Sequence, residues 1–122
     1  MSCTIFAAAV ALMLAACAQP GARGVSVGAE LDALAEDGRA IAEAQCARCH
    51  AIGEYGESPS AAAPVFRTLL QRYRAEVLEE ELINGIRVAH PMPEFQFNPR
   101  GADALIVYLR SVQETPAAES EN

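Results

Sequence analysis

The residues best equipped for chemistry stand together in Cys46-Ala47-Arg48-Cys49-His50. On a helix, positions 46, 49 and 50 are i, i+3 and i+4, so two thiols and an imidazole share one face. That pattern suits covalent attachment of a c-type haem. The thiols reach the two vinyl groups of one porphyrin, and the imidazole meets the iron over the same ring. Three other chemistries compete for these residues. A thioredoxin-like C-x-x-C pair needs strands in βαβ order, and no segment here alternates with period two for long. Two Cys and two His can hold zinc, but adjacent Cys49 and His50 depart from the usual zinc spacing. A structural disulfide is the plainest alternative. Haem attachment is the reading we favour.

Iron held by His50 needs a sixth ligand. Met92 is the only methionine beyond residue 17, and it lies in His90-Pro91-Met92-Pro93-Glu94-Phe95. A proline on each side fixes φ and removes backbone donors, which makes a stiff, non-helical loop. A stiff loop presenting one thioether suits Met/His ligation of a cytochrome c. Core filler is the ordinary role of a methionine. His90 is the rival ligand, but we expect a surface loop histidine there, with ligation reserved for loss of Met92.

The composition excludes several functions. The chain has 122 residues and a formal charge of −7. That length allows one domain, and the acidic balance argues against a nucleic-acid partner. All nine basic residues are arginines, so a Schiff-base or P-loop lysine is impossible. The hydrophobic fraction, 52%, is too high for a disordered chain. None of the common hydrolase, metalloprotease, calcium-loop or dinucleotide signatures occurs. No catalytic residue is expected.

The elements that position the motif follow from periodicity. Residues 5–16 are apolar without a break. At about 1.5 Å per residue they span roughly 18 Å, short of the ~30 Å hydrocarbon core. They read as a signal-peptide core, although residues 1–4 carry no Lys or Arg. Leu14-Ala15-Ala16-Cys17 is similar to a bacterial lipobox, so 1–17 is expected to be a signal peptide with a lipobox-like cleavage site that leaves a lipidated Cys17 as the mature N-terminus. Cleavage after Ala18 is the alternative. Residues 18–30 read as a flexible tether, 31–113 as the folded domain, and 114–122 as an acidic disordered tail.

Within the domain, Leu31, Leu34, Ala35, Gly38 and Ala42 form the face of a first helix. Phe66, Leu69, Leu70 and Tyr73 form a second, and Leu78, Leu82, Ile83 and Ile86 a third opened by the acids at 79–81. Asn98 caps the fourth, Pro99 starts it, and Ala102, Leu105, Ile106 and Leu109 are its buried face. The fold class is all-α, with about four short helices and long loops. Residues 51–64 and 87–99 are long for bare loops in so small a domain, so they should enclose something.

From about Asp37 to Val112 the chain resembles a class I, monohaem bacterial cytochrome c. Gly38 lies eight residues before Cys46, where that family has a helix glycine. Leu105-Ile106-Val107-Tyr108-Leu109 resembles its C-terminal helix, whose aromatic residue packs across the glycine. Ala63-Pro64-Val65-Phe66 resembles its proline segment. The resemblance implies a Pro64 carbonyl bonded to His50, one covalent haem c wrapped by the helices, and one-electron transfer. Ala42 departs from the larger residue of many relatives, and the lysine ring of mitochondrial relatives is missing.

These readings describe a periplasmic electron carrier, anchored to the membrane through Cys17 or soluble. Its partners would be an oxidase, a quinol oxidoreductase or a periplasmic dehydrogenase. A dedicated haem subunit of one complex is the second reading, and a ligand sensor the third if Met92 is not bound. Phe66, Tyr73, Phe95 and Phe97 are candidate pocket walls, and Arg67 and Arg87 candidate partners of haem propionates.

Overall fold

Ser26 opens the first helix by accepting a hydrogen bond from the Ala29 amide at 3.3 Å. That bond satisfies one of the free N–H groups at a helix start. Helix α1 then runs Val27–Gln45, with Glu30 placed favourably in its first turn. The computed structural model describes residues 26–87, 90, 92, 93 and 95–115. The expected signal segment, Cys17 and the rest of the tether before 26 lie outside them. The tether expected over 18–30 therefore ends at Ser26, because that cap lets an exposed turn of helix form ahead of Leu31.

A 3-10 turn, Phe66–Thr68, leads into the short α2, Leu69–Arg72. Helix α3 is Ala75–Asn84 and α4 is Pro99–Ser111. Among the described residues there is no strand, so the all-α expectation holds. No helix among them is long and apolar enough to cross a membrane. The Asn98 side chain accepts from the Gly101 amide at 2.9 Å and Pro99 follows it, as expected. The acids at 79–81 do not open α3. That helix starts four residues earlier, with Glu76 in its first turn.

The core is the crossing of α1 and α4. Ala42 and Ala102 are fully buried, and Ala104, Leu105, Ile106 and Leu109 nearly so. Small residues on both helices allow the backbones to approach closely, and Gly38 marks the tightest point. The Tyr108 hydroxyl donates to the Ile52 carbonyl at 3.2 Å, tying the chain after His50 to α4. At the other end, Gln113 donates to the carbonyls of Phe66 and Leu109, each at 2.8 Å, and accepts from the Leu70 amide at 3.0 Å. The Glu114 amide donates to the Arg67 carbonyl at 3.0 Å. The described chain thus continues two residues, to Thr115, into the segment expected as a tail, and Glu114 finds a backbone partner there. Residues 116–122 lie outside the described residues.

A β-carbon at Gly38 would collide with the Ala104 carbonyl and sit 2.8 Å from Tyr108 Cβ. Backbone cannot yield there without parting the helices. Gly38→Ala should cost about 1–3 kcal/mol, the usual penalty of overpacking. Denaturant unfolding of the intact protein should show a lower midpoint at unchanged slope. An unaltered midpoint would contradict the close crossing.

Candidate functional site

The C-x-x-C-H segment begins where α1 stops. The amides of Cys46 and Ala47 both donate to the Ala42 carbonyl, at 2.9 and 3.0 Å. The amides of Cys49 and His50 both donate to the Cys46 carbonyl, at 3.0 and 2.9 Å. The segment is therefore a single turn beyond the helix, not a continuation inside it. The i, i+3, i+4 relation survives because the His50–Cys46 bond keeps helical spacing. Cys46 and His50 are buried, and Cys49 is half-buried.

His50 is held by its back nitrogen. Its Nδ1 lies 2.7 Å from the Pro64 carbonyl oxygen, as the family resemblance implies. A carbonyl only accepts, so Nδ1 carries the proton and Nε2 is left with the lone pair. Burial lowers the pKa of His50 and outweighs the opposing Pro64 bond. The ring is thus kept neutral, which is the form that binds a metal. Phe66 lies against it, with ring centroids 5.4 Å apart. The Phe66 amide donates to the Ala51 carbonyl at 2.9 Å, which fixes the proline segment beside the turn.

Beside this ring is a cavity of about 370 Å³. That volume falls among those of cofactor sites, roughly 300–1,000 Å³. Cys46 and His50 form part of its wall, and Phe66, Leu69, Leu82, Leu105 and Leu109 supply apolar surface. His90 and Met92 enter from the loop before α4, so the fold brings four of the five chemical residues together. Cys49 is not part of the wall.

His90 corrects the expectation of a surface histidine. It is half-buried, and its ring centroid is 5.6 Å from that of His50 at an interplanar angle of 68°. Its Nε2 is buried without a hydrogen-bond partner among the described residues. Sequence reasoning missed this burial because it depends on residues distant in sequence, His50 and the α3 side chains that line the same cavity. The nearest signal was the pair of prolines stiffening that loop.

The competing chemistries fare as follows. Burial pushes the Cys46 thiol up to about 11. A redox-active pair needs a lowered thiol pKa, so this environment does not suit one. Cys46 and Cys49 are both free thiols. Among the described residues, no group of three or more His, Cys, Asp or Glu side chains is placed to hold a metal ion.

Of the expected pocket walls, Phe66 and Tyr73 line the cavity. Phe95 and Phe97 lie against each other instead, 6.1 Å apart, and the Phe97 amide donates to the Leu82 carbonyl at 3.0 Å. Arg87 lines the cavity and Arg67 does not. Arg67 donates to the Gly56 carbonyl at 2.6 Å and pairs with Glu57 and Glu114 at 3.8 and 3.4 Å. Its role is to brace the loop against the end of the domain. Arg67→Gln should lower unfolding stability by roughly 1 kcal/mol and leave the optical spectrum and reduction potential unchanged. A shift in potential without loss of stability would return Arg67 to the site.

Residues 33–109 match the protein family described as cytochrome C oxidase, cbb3-type, subunit III. No curated protein and no solved structure matches the chain.

Proposed function

Since the chain belongs to the family of the cbb3-type cytochrome c oxidase subunit III, we propose that it is a periplasmic one-electron carrier of a respiratory or dehydrogenase chain. As a cytochrome c domain it carries covalently bound haem c. That group supplies reversible one-electron chemistry at its iron. Cys46 and Cys49 would hold it through thioethers, and the Nε2 of His50 and the sulfur of Met92 would bind its iron.

The observation that carries this reading is His50: buried, neutral, locked by Pro64, and facing an apolar cavity that Met92 also lines. The residues present fit the group. The Pro64 carbonyl orients the ring and raises its basicity. The leucine and phenylalanine wall excludes water and disfavours extra positive charge, which favours ferrous iron. A thioether ligand pushes the same way relative to a second nitrogen. Glu81 and Arg87 are the charged residues of the wall.

A second reading, a haem subunit dedicated to one oxidoreductase, is favoured by Tyr73 and Val77. Both line the cavity and yet are 49% and 48% exposed. An apolar rim of that kind suits a permanent neighbour. Export through residues 1–17 and anchoring through a lipidated Cys17 belong to the proposal on sequence grounds. Partners remain an oxidase, a quinol oxidoreductase or a periplasmic dehydrogenase.

The test is the optical spectrum of the protein made in a host that attaches haem. One low-spin haem c per chain, with the weak far-red sulfur-to-ferric-iron band, is expected. Cys46→Ser should keep one thioether and shift the pyridine haemochrome to longer wavelength. The Cys46→Ser/Cys49→Ser pair should release its haem into acidified butanone. Covalent haem persisting in the double variant would overturn the assignment of the thiols. A far-red band missing from the parent protein would remove Met92.

A further inference from the structure

His90 is the one buried polar group of the cavity that neither packing nor hydrogen bonding accounts for. Its Nε2 is sealed from solvent with no partner among the described residues. Leaving such an atom unpaired is costly, so it calls for a partner that the described residues do not supply. The ring stands 5.6 Å from that of His50, steeply inclined to it, inside the same cavity. Two imidazoles on one metal ion each take a bond of about 2 Å, so a spacing of this order admits an ion between them. Met92 lines the same cavity two residues further on.

From this juxtaposition we infer that His90 is a reserve iron ligand, which takes the sixth position whenever Met92 leaves it. The inference rests on the haem-binding reading above. In the exchange the iron–sulfur bond to Met92 breaks and a bond to the Nε2 lone pair of His90 forms. No electron moves. The exchange swaps one neutral ligand atom for another, so no proton enters its balance. Imidazole suits ferric iron better than a soft thioether does, so oxidation favours His90 and reduction favours Met92. The two-nitrogen form has the lower potential.

Ferric Met92→Ala protein separates the outcomes by electron paramagnetic resonance and near-infrared spectra. We expect low-spin haem with the signature of two imidazoles and no sulfur band. Met92→Ala/His90→Phe should turn high-spin and bind added imidazole. A high-spin Met92→Ala protein that still holds covalent haem would overturn the inference and leave the haem reading intact. A chain that folds without haem even in the parent form would overturn the haem reading itself.

Should Met92→Ala fail to accumulate, Met92→Leu with and without His90→Phe decides. If His90 fills the sixth position in about nine-tenths of the ferric Met92→Leu molecules, its removal should tighten cyanide binding about tenfold. Equal cyanide affinity in Met92→Leu and Met92→Leu/His90→Phe would overturn the inference.

Discussion

The close crossing of α1 and α4 is the constraint on which the rest of the structure depends. Gly38 permits it by offering no side chain where the Ala104 carbonyl passes. The crossing fixes the direction in which α1 ends, and so where the Cys46 turn begins. It also fixes which residues of α4 face that turn. Leu105 and Leu109 come to line the cavity that Cys46 and His50 share. The Tyr108 hydroxyl, one residue before Leu109, ties the Ile52 carbonyl down two residues after His50. One helix pair therefore positions the turn, the imidazole and the far wall together. A domain with so few helices has little other core from which to build a site.

The polar groups inside this apolar wall are handled one at a time. Before haem is attached, the Cys46 thiol is held neutral because burial penalises its thiolate. His50 spends its one proton on Pro64 and is held neutral by burial. Charged side chains of the wall are confined to Glu81 and Arg87, both exposed. His90 alone breaks the pattern. A buried nitrogen without a partner is costly, and folding tolerates it where a ligand supplies the missing bond. The cavity is thus a largely apolar one with two imidazoles and a thioether in its wall, which agrees with a haem c domain.

Much of this was legible in the sequence because the governing constraints are local. The C-x-x-C-H turn is a matter of spacing within five residues. Asn98 and Pro99 announce α4 within two. The Gly38–Tyr108 contact spans the domain, yet family resemblance supplied it, and so did the Pro64 bond to His50. What stayed hidden depends on distant partners or on small choices at helix ends. Arg67 reads as a free cation until its neighbours Gly56 and Glu114 are seen to fold around it. The acids at 79–81 look like a helix start because nothing in the sequence marks Arg74 as a cap, and its side chain indeed makes no capping bond. His90 reads as exposed because loop histidines usually are, and only the path of the chain between α3 and α4 buries it.

That path also explains how one loop can offer two ligands without unfolding. Gly85 ends α3 with φ of 96°, a conformation that residues with a side chain rarely adopt, and it turns the chain toward the cavity. The Phe97 amide pins the other end to the Leu82 carbonyl, near the C-terminal end of α3. Both ends of the loop are therefore fixed on the same helix, and the ring of Pro93 restricts its middle. A segment anchored in this way cannot swing far. It can shift by the small distance that separates a sulfur from a nitrogen two residues away. The preference between the two then depends on which atom the iron binds better in a given oxidation state, not on the cost of refolding. The same stiffness that lets Met92 serve as a ligand keeps His90 within reach of the position Met92 leaves.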